Sequence, residues 1–497
     1  MWKRTSQARA VMLSGFVVLS ATGYGSGRPE VRPLIGVVQV TPAGPVRVVT
    51  SSLLGLNGVN VTGPPWNAPS FGAALRRFAP GVIRYPGGNA ANYWSWPDGW
   101  FQPGHWPGEP SQPVNDRLPL FTAGVRASAA LPLFDLNTVT YHGAIGSAAL
   151  NKAMLDQQLK FLRAASAQGL PVRMVELGNE LYQNGYTSHP PNSHSDDWAR
   201  RFPTAADYAR QMNAWITAIH REFPRARVAA VAADANDIPG ISRRRRSWNA
   251  EVLPLLRGED AVTIHENLYI YGVSPPSTVL AMPYLHFRKL KTHELALFRS
   301  YGLPVWITEF NMTDVTPSRA FQGTWLHGLF VAEEALLFGR NPAIKYAGLN
   351  ATVGTAQSAA FFDGPHGFGS SGPRTVPLGL TAAGTTLAAV QAAFHRATHA
   401  QPLSFSPDPA LGSSTAPSLL GAELTGHAGK EVILVNLSSR PVTLNLSAIF
   451  RGKFTVTQIT APSIMTLVTG PGSTERSSSS ATGDFRIKPY ALVDMSG

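Results

Sequence analysis

The sequence predicts an α/β protein: a (β/α)8 barrel with an additional C-terminal antiparallel β-sandwich. Three observations point there. From about residue 53 to residue 353, eight short apolar runs alternate with helical patterns, and such alternation builds a mostly parallel sheet. Eight units over roughly 300 residues suit a closed barrel. No glycine-rich phosphate-binding turn follows the early strands, which removes the support for the alternative, an open doubly wound sheet. After Pro377 the texture changes to alternating runs separated by Ser, Gly and Pro, the pattern of a small antiparallel sandwich.

The elements follow in order. Residues 1–27 read as an export signal: Lys3, Arg4 and Arg9 precede the apolar stretch 10–23, and small residues follow in "ATGYGSG" (21–27). The run falls short of the ~20 apolar residues of a membrane span. An uncleaved anchor is therefore the lesser reading, and the expected protein is secreted or periplasmic, with no membrane span once mature. Residues 28–50, with "GVVQVTPAGPVRVVTSS" (36–52), are strand-like and expected to join the sandwich. The barrel is assigned to 51–375. Its strands are expected at 53–61, 81–88, 131–140, 172–180, 227–234, 260–269, 304–311 and 345–353, with helices at 151–169, 204–224 and 323–339. Residues 376–497 hold a last helix (380–397) and sandwich strands at 431–439, 441–449, 454–460 and 483–495. The Gly/Ser-rich stretch 469–483 reads as a loop.

Composition bounds the chemistry. The 497 residues are 44% hydrophobic and contain no cysteine, which excludes disulfides, a thiol nucleophile and a thiolate zinc site. The formal charge is +12, and removing the three cations of the leader leaves +9. Such a surface could attract an acidic polysaccharide or an anionic envelope; nucleic acid is not an expected partner. The densest basic run, "SRRRRSW" (242–248), reads as a solvated loop. Thirteen histidines are scattered, and "HPPNSH" (189–194) lacks a helical His-Glu pattern. It reads as a loop lining a cleft, and no metal or cofactor is expected. Nothing in the sequence fixes an oligomeric state.

Two carboxylates stand out. "RMVELGNELY" (173–182) runs from apolar strand into Asn179 and Glu180, and "PVWITEFN" (304–311) carries Glu309 at its end. In a parallel barrel, functional groups sit at the C-terminal strand ends, so strands four and seven can oppose their glutamates across the mouth. One protonated and one ionised carboxyl across a pocket suit glycoside hydrolysis. Glu176, of the same parity as Glu180, reads as a structural ion-pair partner lower in the barrel. Arg84, in "VIRYPGGNAANYWSWPDGW" (82–100), would hold a nucleophilic carboxylate ionised. Asn89 offers hydrogen bonds and Trp94 a flat face for a sugar ring. Asn137 ends the third strand at the pocket mouth. In "TIHENLYIYG" (263–272), His265, Tyr269 and Tyr271 line the sixth, and one tyrosine is expected to bond the nucleophile.

These motifs resemble a known family. "ELGNE" (176–180) and "WITEF" (306–310) look like the acid/base and nucleophile motifs of the clan A retaining glycoside hydrolases. "IRYPGGN" (83–89) with "NYWSWPDG" (92–99) is similar to the second-strand motif of family 51 α-L-arabinofuranosidases. The barrel with a flanking sandwich equally resembles the family 79 glucuronidase and heparanase-like enzymes and family 39. The resemblance implies Glu180 as general acid/base, Glu309 as nucleophile, Asn179 on the sugar 2-hydroxyl, Arg84 holding Glu309, and His265 with Tyr271 steadying the nucleophile. It implies a carbohydrate substrate. Two departures are visible: "HENLYIY" is not a compact His-x-Tyr, and "YAGLNATVG" lacks a tryptophan. The competing readings are a barrel that binds carbohydrate without cleaving it, and a transglycosylase of capsule or envelope glycans.

Overall fold

Eight of the apolar runs form strands whose hydrogen bonding closes a ring. In chain order they are β1 (Leu54–Asn57), β2 (Val82–Tyr85), β3 (Leu131–Asp135), β4 (Met174–Glu176), β5 (Arg227–Val231), β6 (Ala261–Ile270), β7 (Val305–Asp314) and β8 (Ile344–Leu349). Each pairs in parallel with the next, and β8 returns to β1. This computed structural model describes residues 36–497 apart from 59, 61–62, 103–115, 186–194, 235–240, 273, 317, 355–358 and 363–377. The export segment, residues 28–35 and the "HPPNSH" loop lie outside the described residues. No helix among the described residues is long and apolar enough to cross a membrane.

The strands explain where a polar site can form. Successive side chains on a strand point to opposite faces. Val82, Leu133, Met174, Ala229, Ala261, Trp306 and Tyr346 pack together as one cluster inside the ring. Two residues further along β2, β3, β4 and β7, on the same face, come Arg84, Asp135, Glu176 and Thr308. An apolar plug thus fills the bottom of the barrel, and a polar layer lies directly on it.

Helices follow the strands as the apolar periodicity demands. Ala205–Glu222 opens on a capping box: Asp207 N–H donates to Thr204 Oγ1 at 3.1 Å, and Thr204 N–H donates back to Asp207 Oδ2 at 3.0 Å. The arginine run is helical, not a loop: Arg243–Val252 is a helix, with the Ser242 hydroxyl accepting from Arg245 N–H at 3.2 Å. Arginine is a good helix former, and serine a good N-cap. Trp325–Gly339 is buried on every face. It lies between β7 and β8 on one side and the sandwich on the other, with Trp325 Nε1 donating to Tyr490 O at 2.7 Å.

Ten strands form the second sheet. Val38–Pro42 and Arg47–Val48, from the start of the described chain, pair with Ala397–Ser406. That long strand changes partners along its length: residues 397–402 bond Leu419–Gly426, and residues 403–406 bond Val38–Pro42. The sheet folds over on itself there, and Val38, Val40, Phe405, Leu434 and Val493 fill the space between the leaves. One expectation fails here. Glu475–Thr482, inside the stretch read as a loop, is a strand paired with Lys453–Thr460. It is the sheet's edge and mostly exposed, so it carries serines in place of an apolar stripe.

Trp325→Ala removes the largest side chain at the joint. It should cost about 3–5 kcal/mol, as buried Trp truncations do. Calorimetry is expected to show barrel and sandwich melting together at a lower temperature; a shift confined to one of two separate transitions would contradict the shared joint.

Candidate active site

Arg84 occupies the centre of the polar layer, with no exposed surface. Its Nε donates to Glu176 Oε2 at 2.6 Å, Nη1 to Glu309 Oε1 at 3.0 Å, and Nη2 to Asn179 Oδ1 at 2.8 Å. Nη1 also reaches Asn57 Oδ1 at 3.3 Å. Burial alone would push the guanidinium down, but Asp135, Glu176 and Glu309 outweigh it and hold it above its ordinary value. Asp135 Oδ2 lies 2.8 Å from Nη2, yet neither of its oxygens has the alignment of a hydrogen bond. Burial, with Glu176 and Glu309 nearby, raises Asp135 above its ordinary value despite Arg84. Glu176 is the ion-pair partner, and Thr308 Oγ1 donates to its other oxygen at 2.9 Å.

Glu309, on β7, receives four N–H donors. Arg84 and Asn57 (3.1 Å) bond Oε1; Asn350 (2.9 Å) and Asn267 (3.3 Å) bond Oε2. Asn57 and Asn350 were not singled out in the sequence, although a signal exists. Both end an apolar strand run with the same tripeptide, Gly-Leu-Asn, at 55–57 and 348–350.

Glu180 is not the last residue of its strand. β4 ends at Glu176, and the chain turns through Gly178 (φ 89°) to Glu180 itself at φ 50°. A Cβ on Gly178 would come within 2.5 Å of Thr138 Oγ1. A non-glycine residue in the left-handed region must be held there, and the holders are visible. Asn92 clasps the Asn179 backbone on both sides, donating to its carbonyl at 2.7 Å and accepting from its N–H at 3.1 Å. Arg244, on the arginine-run helix, donates to the carbonyls of Leu181 (2.9 Å from Nη2) and Gln183 (3.1 Å from Nε). The Glu180 carboxylate accepts from Tyr182 Oη–H at 3.1 Å and Gln183 Nε2 at 2.8 Å.

His265 joins the two glutamates. Its Nδ1 is 3.0 Å from Glu180 Oε1 and 3.7 Å from Glu309 Oε2. Burial disfavours the imidazolium, but Glu309 and Glu180 outweigh burial and raise His265 above its ordinary value. Burial likewise pushes Glu180 up, and His265, Arg245 and Tyr182 more than reverse it. Both shifts favour a proton on the imidazole over one on Glu180.

The other residues expected at the site divide sharply. Asn179 and Asn89 belong to it: Asn179 Nδ2 donates to Asn89 Oδ1 at 2.8 Å, leaving its second N–H. Asn137 does not line the pocket. Its amide oxygen accepts from Val139 and Thr140 N–H, and its nitrogen donates to Trp94 O and Thr140 Oγ1, which uses its bonding capacity. Trp94 is buried edge-on against Tyr85 and Phe101, so it presents no face to a sugar. Among the described residues neither Tyr269 nor Tyr271 hydrogen-bonds Glu309. The pairing of β6 with β7 shifts register between Ile264 and His265, which sets His265 opposite Glu309 and gives Asn267 the place expected of a tyrosine. Both strands continue past the rim, and there the two tyrosine rings stack at 6.0 Å, 42% and 70% exposed.

Beside Glu309 opens a cleft of about 530 Å³ bounded by Asn267, Asn311, Asp314, Arg319 and Asn350, within the ~300–1,000 Å³ usual for small-molecule sites. Asn311 is oriented from behind: His327 Nε2 donates to its Oδ1 at 2.7 Å, and His327 Nδ1 accepts from Gly323 N–H at 3.2 Å.

No protein-family model matches the sequence, and no curated protein matches it. Solved structures do resemble the fold. An α-L-arabinofuranosidase from Thermotoga maritima, solved with arabinose, gives a TM-score of 0.66 at 17% identity, over 92% of this chain and 99% of that one. The family 51 α-L-arabinofuranosidase of Thermotoga petrophila gives 0.67 at 16%, with the same coverage. A 4-O-α-L-rhamnosyl-β-D-glucuronidase from Fusarium oxysporum gives 0.59 at 12%, again over 92% and 99%. At these identities the likeness is one of fold. The chain has the barrel-and-sandwich architecture that these glycoside-cleaving enzymes share, as the clan A motifs implied.

Two expectations follow. Arg84→Met leaves buried carboxylates uncompensated and should cost about 3–5 kcal/mol in urea melts, with Arg84→Lys falling between. His327, held neutral by burial with its pKa lowered to about 4, is protonated in the unfolded chain below ~6.5. The unfolded state therefore binds the extra proton between those values, and stability falls as pH drops from 6.5 to 4, by about 3 kcal/mol from this residue. His327→Gln should flatten that slope in melts across the window.

Proposed function

We propose that this protein is a retaining glycoside hydrolase, with Glu309 as nucleophile and Glu180 as acid/base. The observation that carries the reading is one imidazole in reach of both carboxylates. The two legs of 3.0 and 3.7 Å cap the separation of those oxygens at about 6.7 Å, which admits the ~5–5.5 Å of a retaining pair and only the lower edge of the ~6.5–9.5 Å of an inverting one. The shared fold of the arabinofuranosidases and the glucuronidase supports the reaction class.

The roles follow from the contacts. Four N–H donors stabilise the negative charge of Glu309 and aim it. Its oxygen attacks the anomeric carbon, the glycosidic C–O bond breaks, and Glu180 delivers a proton to the leaving oxygen. The proton comes from the His265–Glu180 pair. As the charge of Glu309 is consumed in the new ester, the imidazolium loses one of the two carboxylates that hold its proton, and the proton passes to Glu180. In the second step Glu180, ionised again, takes a proton from water as that water attacks the anomeric carbon and releases Glu309. The uncommitted N–H of Asn179 meets the sugar 2-hydroxyl. The substrate is a carbohydrate, and the basic, arginine-rich chain admits an acidic glycan among the candidates. The leader-like pattern of residues 1–27 supports action outside the cytoplasm.

Aryl glycosides and polysaccharides, tested as a panel, should reveal one cleaved sugar class. Glu309→Gln should lower kcat by on the order of 10⁴-fold or more. Glu180→Ala should lose far less on an aryl glycoside with a good leaving group, because that group needs no proton. Azide should rescue it, yielding a glycosyl azide of the substrate's own anomeric configuration. An inverted azide from Glu180→Ala, or full activity in Glu309→Gln, would reverse or remove the assignment.

A further inference from the structure

Behind β6, on the side away from the cleft beside Glu309, a second group of titratable residues converges. Asp234 follows the end of β5, Glu266 lies on β6 next to inward-facing His265, and His286 lies on the helix Pro276–Thr292. One ligand atom from each lies within 4.8 Å of the others. Asp234 and Glu266 are buried, while the His286 side chain keeps 18% exposure and so offers an approach from solvent. We propose that Asp234, Glu266 and His286 form a divalent-cation site that takes Zn²⁺ or Mn²⁺ and fastens β5, β6 and the following helix together.

The donor set selects the ion. Two carboxylate oxygens suit Mg²⁺, Ca²⁺ or Mn²⁺, an imidazole nitrogen suits Zn²⁺ and its neighbours, and Zn²⁺ and Mn²⁺ tolerate the mixture. A carboxylate oxygen independently points to a ligand. Glu266 Oε1 is buried with no hydrogen-bond partner among the described residues, a costly state that native structures avoid. Further carboxyls crowd the group. Glu294 and Glu334 act electrostatically on this group, and Glu294 Oε2 and both Glu334 oxygens are likewise buried without a hydrogen bond. Among the described residues His286 and Arg245 face these acids; Arg245 Nη2 lies 3.7 Å from Asp234 Oδ2 and its Nε donates to Asp234 O at 2.8 Å. A 2+ ion gives the unpartnered carboxyl oxygens a positive partner.

The fit needs one adjustment. His286 Nε2 and Glu266 Oε2 are 2.5 Å apart. An ion with bonds of ~2.0–2.2 Å seats its ligands about 3 Å apart or more, so the imidazole must back away slightly toward solvent. The ligands are scattered at 234, 266 and 286 on three elements, which is why no spacing motif marks them. The consequence reaches the front of the strand. Glu266 is flanked in sequence by His265 and Asn267, so an ion gripping Glu266 restrains the two residues that meet Glu180 and Glu309.

Full-length, tag-free protein stripped with chelator and reloaded with Zn²⁺ or Mn²⁺ tests this. After desalting, metal analysis should find one equivalent per chain, and the melting temperature should rise by several degrees over the stripped form. Glu266→Gln and His286→Ala should each lose the equivalent and the rise; His286→Ala, at the exposed side, keeps the test valid where Glu266→Gln fails to fold. Wild type that retains no metal, or variants that retain it undiminished, would overturn the site. Because the readouts are metal content and melting, they are independent of whether the glycosidase reading holds.

Discussion

One buried guanidinium organises this molecule. Arg84 sits where the apolar plug of the barrel ends and reaches three strands from a fourth, binding Glu176 on β4, Glu309 on β7 and approaching Asp135 on β3. A planar group with five fixed donors defines directions as well as charge. Glu309 is held in one orientation because its partner cannot turn. The barrel in turn tolerates a buried arginine only because the carboxylates are there, so the machinery and the support cannot be separated.

The two glutamates are placed by different means. Glu309 belongs to a strand of a closed barrel and inherits its rigidity. Glu180 rides on a left-handed turn clasped by Asn92 and by Arg244 from the helix after β5. The proposed nucleophile is fixed by the sheet, and the proposed acid by a loop that other elements hold down. His265 spans the two and couples their charges.

Much of this was legible in sequence because its causes are local. Buried parallel strands read as continuous apolar runs, and all eight barrel strands were visible that way, as was the position of Glu309 at the end of one. What was hidden depends on partners far along the chain. The register shift in β6 that puts Asn267, not Tyr269 or Tyr271, on Glu309 arises from pairing with β7. Asn137 and Trp94 look available until the loop around them is folded, when both prove to hold it together. Four successive arginines suggest solvent, yet an N-capping serine and the carbonyl and carboxylate contacts of Arg244 and Arg245 make them a structural helix. The serine-rich edge strand has no apolar stripe to reveal it, since its order comes from backbone pairing alone.

The partner-changing strand Ala397–Ser406 has a consequence for how the chain must be made. Val38–Pro42 bonds it along one edge, so a strand that leaves the ribosome early waits for a partner synthesised roughly 350 residues later, and contacts of such separation are slow to form. In the interval the whole barrel is translated and β8 becomes available to close against β1. Vectorial synthesis therefore leaves an early strand without its native neighbour until the sandwich strands are made.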